Sequence, residues 1–179
     1  MRRKNLLLTL LLLLLAILTG TAYAGYHLYT RLKMERKKVN QDWEILAEAC
    51  QNKLELLDQL IQLPPDSLPV QPVTKTELRS LRLQATRKVG EERLDQDVLN
   101  EFLAAQSRYE TTLLHTFVAP VVTPEQNRIL NQVHSTQKHV EACLHQFLLS
   151  VDAFNHTVAR FPFSWVASLT GIKKINFEK

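Results

Sequence analysis

From Asn5 to Thr30 the chain carries no Asp, Glu, Lys or Arg, and Leu6 to Leu18 is almost unbroken leucine. A helix that crosses a bilayer needs about 20 predominantly apolar residues to cover a hydrocarbon core of ~30 Å. Leu6 to about Leu28 meets that length. Tyr23, Tyr26 and Tyr29 follow at its far end, where amphipathic rings favour the headgroup layer. Arg31 and Lys33 then open a basic run suited to anionic lipid headgroups.

A cleaved signal peptide accounts for some of the same residues. Arg2-Arg3-Lys4 has the form of a charged leader, Leu6–Leu18 of the apolar region, and Ala22-Tyr23-Ala24 of a small-x-small cleavage site. Span length favours an anchor over residues 1–28; the alternative is a signal peptide over 1–24, with the mature chain starting at Gly25. The side on which the remainder lies stays open. Five basic residues in Arg31–Lys38 favour the cytoplasmic side, whereas Arg2-Arg3-Lys4 directly abutting the apolar run favours the opposite orientation.

Charge patterning narrows the function class. Residues 1–38 hold eight basic residues against Glu35 alone, a local surplus of seven within a chain of net +4, so the rest is net −3. The basicity therefore flanks the apolar segment and does not mark a folded nucleic-acid-binding surface. No aromatic residues interleave Arg31–Lys38, which again favours lipid contact over nucleic acid.

Beyond the apolar segment the pattern is helical throughout, and four glycines in 179 residues suit helices better than a many-turned β fold. Val39, Trp43, Leu46, Cys50, Leu57 and Leu60 recur at three/four spacing and predict a helix from about Tyr29 to Leu63. Pro64-Pro65 ends it, and Pro64–Val73 reads as a loop. A second helix, capped at Thr74 or Thr76 with Glu77 closing a capping box, carries Leu78, Leu81, Ala85 and Val89 and ends near Gly90. A third, capped at Asp95 or Asp97, buries Val98, Phe102, Ala105, Tyr109, Leu113 and Phe117 and closes at Pro120. A fourth opens at Thr123-Pro124, with Glu125 in its first turn. Its seam runs Leu130, Val133, Val140, Leu144, Phe147, Val151, Phe154, Val158 and Phe161, ending at Pro162.

The expected fold is all-α: an N-terminal transmembrane helix followed, over 29–179, by an up-and-down antiparallel four-helix bundle. In that topology the fourth helix returns toward Tyr29. The aromatic and basic tail can then rest on the headgroups through Phe163, Trp165, Val166, Ile172, Lys173 and Lys174, or else pack on the bundle. Arg31, Lys33, Trp165, Lys173 and Lys174 are the candidate membrane-surface contacts.

These residues bring a family into view: the chain resembles a LemA protein. The family pattern has Tyr-x-x-Leu and then Val-Asp-x-Ala-Trp after an N-terminal hydrophobic segment; here stand Tyr29-Thr-Arg-Leu32 and Val39-Asn-Gln-Asp-Trp43. The end of the chain carries Thr136-Gln137, Phe154-Asn155, Phe161-Pro162, Ala167, Gly171 and Phe177 in family order. The resemblance spans roughly 29–63 and 124–179. It departs at Asn52-Lys53, in place of the family's Arg-Arg, at Glu55–Leu60, and at Phe147-Leu148, in place of a Tyr-Asn pair, as in a divergent member. The resemblance implies a membrane-tethered helical bundle and no established activity. Its motif positions here are Tyr29, Trp43, Phe154, Asn155, Phe161, Pro162 and Gly171.

Catalytic and metal chemistry has little purchase on this sequence. No HExxH or CxxC motif occurs, and four glycines leave no Gly-rich phosphate loop. His139 and Cys143 share a helix face at i, i+4 but are offered no third ligand. Cys50 and Cys143 fall at similar heights on the first and fourth helices, open to a disulfide in an exported domain but read first as small buried residues. Acidic residues at Glu91-Glu92 and Asp95–Asp97 suit a helix start. No catalytic residue, cofactor or metal is therefore expected. The expected role is a non-enzymatic interaction or scaffold module of the cell envelope, single-pass in the cell (inner) membrane. Its partners would be membrane lipids and another membrane or envelope protein, with homo-oligomerisation open and nucleic acid not expected. The alternative is a secreted or periplasmic partner-binding domain released after Ala24.

Overall fold

In a computed structural model, the backbone of residues 2–62, 72–86, 96–117 and 123–175 is described, with side chains over 8–60, 76–86, 96–114 and 123–175. Five helices and no strand occur among the described residues: α1 (Arg2–Gln62), α2 (Pro72–Ala85), α3 (Gln96–Phe117), α4 (Pro124–Ala159) and α5 (Phe163–Thr170). Several sequence readings lie outside these residues: the Pro64–Val73 loop up to Gln71, the side chains of Val89, Phe117 and Phe177, the caps at Gly90 and Asp95, and the stop at Pro120.

The apolar segment and the first amphipathic stripe form one helix of 61 residues, not two joined elements. No proline interrupts Arg2–Gln62, and an isolated Gly20 or Gly25 costs only ~1 kcal/mol in a helix interior, too little to break it. α2 begins at Pro72, ahead of the expected caps, so Thr74 and Thr76 lie inside it. Proline at a first helical position forfeits nothing, since its missing N–H has no intrahelical acceptor there.

α4 opens as expected and gains a reciprocal lock. The Gln126 N–H donates to Thr123 Oγ1 at 3.2 Å, and the Thr123 N–H donates to Gln126 Oε1 at 2.9 Å, satisfying two otherwise orphaned donors. The far end of α4 corrects the sequence reading. The helix stops at Ala159, and Phe161 leaves the buried seam with 84% of its surface exposed. The residue before a proline is driven out of helical geometry, so Pro162 ends the helix earlier than its own position. α5, unanticipated, follows at once. It ends where Gly171 takes φ +73°, and the Ile172 N–H bonds back to the Ala167 carbonyl at 3.0 Å.

The chain groups into two compact units: Met1–Val39 with Ser150–Lys174, and Asn40–Leu149 with Ile175–Lys179. The second unit holds segments of four helices. Along α1, Trp43 meets Phe102 of α3 and Phe147 of α4, while Lys53 meets Glu110 of α3 and Gln137 of α4. Numbers therefore rise together on α1 and α3 and oppose on α1 and α4. Asp58 meets both Arg82 of α2 and Tyr109 of α3, and Gln106 donates to the Ala85 carbonyl, so Arg82 lies level with Tyr109 and Ala85 with Gln106, and α2 runs against α3. This is up-and-down antiparallel order. Its interior is Leu54, Leu57 and Leu60, Leu78 and Ala85, Tyr109 and Leu113, and Ile129 and Val133.

Candidate functional site

The first unit contains the most unusual surface. Leu8, Leu10–Leu15, Ile17 and Leu18 each leave more than half of their surface uncovered, and the apolar window of α1 is 0% buried. α1 is long and apolar enough to cross a membrane. Three threonine hydroxyls along it are satisfied by the helix itself: those of Thr19, Thr21 and Thr30 donate to the Leu15, Ile17 and Tyr26 carbonyls at 3.0, 3.0 and 2.9 Å. Such back-bonding removes the need for water.

The apolar surface changes character at its C-terminal edge. Tyr23 and Tyr26 are exposed and Tyr29 is partly so, while Leu32 is fully buried. The Arg31 guanidinium stands over the Phe163 ring at 5.4 Å, and that of Arg36 over the Phe154 ring at 5.6 Å. Burial of Arg36 lowers its pKa from the ordinary value. Arg31 and Lys33 are exposed, as are Trp165, Lys173 and Lys174. Val166 is buried, so of the two alternatives for the tail it takes packing, and Ile172 and Phe163 are half-buried. The tail therefore divides between packing and exposure.

The motif positions resolve into different tasks. Trp43, 4% exposed, sits edge-on to Phe102 at 5.2 Å and tilted against Phe147 at 5.5 Å, so it ties α1, α3 and α4. Phe154 is fully buried and Asn155 and Pro162 half-buried; Gly171 supplies the left-handed cap of α5.

Sequence reasoning missed the polar interior of the second unit. Lys53, 7% exposed, pairs with Glu110 and donates to Gln137 Oε1 at 2.6 Å. Asp58 accepts from the Tyr109 hydroxyl and from Arg82 Nε at 2.8 Å. Burial, then the hydrogen bond to Asp58, raises the Tyr109 pKa well above that of a free phenol. One α1 face thus addresses α2, α3 and α4 each through a polar side chain. The available signal was spacing: Lys53 falls three and four residues from Cys50 and Leu57, inside the apolar stripe.

The cysteines are both free and buried. Burial pushes the Cys50 thiol up to about 11, with Lys53 pulling it down and Cys143 adding a smaller upward push. Burial also raises Cys143. His139 does share a face with Cys143, with Nε2 at 3.7 Å from Sγ, and no third His, Cys, Asp or Glu completes a cluster among the described residues. A protonated, buried thiol is a poor nucleophile and a poor metal ligand.

Compared with known proteins, the chain matches no family model, no curated protein and no solved structure.

Proposed function

We propose that this chain is a single-pass, membrane-anchored helical-bundle protein, a divergent relative of LemA proteins. On this reading it acts as an interaction or scaffold module of the cell envelope. The observation that carries the anchor is the bare leucine surface of Leu8–Leu18, which no other part of the described chain covers. Exposing that much apolar surface to water is strongly unfavourable at ~25 cal/mol per Å², so a lipid environment is its natural complement. The polar links of Lys53 and Asp58 support a bundle of fixed register, a suitable frame for presenting a solvent face to a partner protein. On this reading its role is binding, without catalysis: Cys50 and Cys143 are buried thiols and Lys53 is held in an ion pair with Glu110.

Two measurements test this reading. Carbonate-washed membranes should retain the full-length chain, and crosslinking within them should capture an envelope protein in stoichiometric yield. Ala22-Tyr23-Ala24 favours one other reading, a domain released by cleavage. An intact mass beginning at Gly25, with the chain in the soluble fraction, would establish release and remove the anchor.

A further inference from the structure

Helix α5 covers one side and leaves the other bare. Val166 and Ala167 are buried, whereas Trp165 and Leu169 are 63% and 69% exposed, and Phe161 in the preceding turn is 84% exposed. Trp165 and Leu169 stand at i, i+4 and share a face. Single exposed apolar residues are ordinary on protein surfaces, but three large ones within the nine residues from Phe161 to Leu169 are a dense local concentration.

The surroundings of the patch identify its occupant. Phe163, at the start of α5, carries the Arg31 guanidinium 5.4 Å above its ring. Arg31 is the first charged residue after the uncharged stretch. Helix α5 therefore sits beside α1 at the level where α1 leaves its apolar layer. Arg31 and Lys33 directly after the apolar stretch, and Lys173 and Lys174 just after α5, are all exposed. A second copy of the chain would bring those cations against the same cations, whereas anionic lipid headgroups complement them. Tryptophan is also the side chain best suited to the boundary between headgroups and acyl chains.

We propose that α5 is an interfacial helix. Phe161, Trp165 and Leu169 enter the headgroup–acyl boundary of the membrane that α1 crosses, and Lys173 and Lys174 lie on anionic headgroups. This inference rests on the anchor reading. It adds a second attachment that fixes the rotation of α1 about its own axis, which a lone apolar helix leaves free.

The full-length chain with Trp43→Phe retains Trp165 as its sole tryptophan and keeps an aromatic ring in the core. It would be reconstituted in phosphatidylcholine–phosphatidylglycerol vesicles with brominated acyl chains, with helicity checked by circular dichroism. An interfacial helix buries its apolar face by only ~5–10 Å, so bromine near the headgroup end should quench Trp165 at least about twofold more than bromine at the chain terminus. Trp165→Gln and Leu169→Gln, tested in the Trp43-containing chain, should leave helicity unchanged and make Lys173 and Lys174 more reactive to an amine label. The unmutated chain, with Trp43 retained, would be quenched in parallel as a check on the Trp43→Phe background. Trp165 that stays open to acrylamide and unquenched by bromolipid, in a chain still resistant to carbonate, overturns the proposal while leaving the anchor standing. Shielding that depends on the protein-to-lipid ratio, without bromolipid quenching, assigns the patch to a second copy and also overturns it. Loss of the chain to carbonate refutes the anchor itself.

Discussion

The bare leucine surface of α1 permits an unusually clean test, because nothing in the described structure packs against it. Leu8, Leu10, Leu11, Leu12, Leu13, Leu14, Leu15, Ile17 and Leu18 are each 53–65% exposed. At the helix centre each such residue favours insertion by about 0.5 kcal/mol, so the nine together contribute roughly 4–5 kcal/mol. Replacing Leu12 by Arg removes about 0.5 and adds about 3 kcal/mol, which leaves a margin of about 1 kcal/mol. Leu12→Arg with Leu15→Arg costs about 7 kcal/mol and reverses the balance. The single variant should remain largely in the carbonate-resistant membrane fraction, and the double variant should leave it. Neither touches a buried residue, so circular dichroism and the urea midpoint of the bundle should be unchanged. Equal membrane retention of the double variant and the parent would refute α1 as the anchor. A collapse of the urea midpoint would refute the claim that these leucines lie outside the core.

Three further outcomes follow from the second unit. Trp43→Ala should cost about 3–5 kcal/mol, read as a lower urea midpoint, because it opens a cavity between Phe102 and Phe147; Trp43→Phe should cost far less. Glu110→Ala should destabilise more than Lys53→Met, by about 3 against about 1 kcal/mol. The first leaves a buried ammonium with only the neutral Gln137 as partner, whereas the second leaves a carboxylate that is 26% exposed and can hydrate. The double variant should be less destabilised than Glu110→Ala alone, and additive costs in a double-mutant cycle would count against the pair. Stability should also fall in alkali. Folding raises the Cys50 pKa from 9.0 to about 11, so the folded state holds a proton that the unfolded state has released. The contribution is complete below about pH 9 and lost as pH rises toward about 11, and Cys50→Ala should flatten that part of the profile. Tyr109, raised in the same direction, extends the decline to still higher pH.

Much of the fold was legible as periodicity. Every expected stripe residue of the first helix is buried, from Val39 through Trp43, Leu46, Cys50, Leu57 and Leu60. A 3.6-residue repeat of apolar side chains needs no tertiary information to be read. The cap at Thr123-Pro124 was equally local, and the structure added only its reciprocal partner Gln126. Helix junctions were less legible. Nothing in composition distinguishes two abutting helices from one, so the continuity of α1 across Tyr29 went unread. The eight-residue α5 is too short for a periodic signal, although Pro162 before it and Gly171 after it are the punctuation that could have located it.

The sequence by itself determined the apolar segment, the helical class and the order of the elements, because each follows from residue type and spacing along one chain. Only the tertiary structure decided what those residues meet. It took Phe161 off the buried seam, left Trp165 exposed and put Val166 into the core. It gave Lys53 and Asp58 partners on other helices, at separations no local pattern encodes. The physical reason is the same in each case: periodicity says which face of a helix is apolar, whereas burial and pairing depend on which neighbour, if any, arrives to cover it.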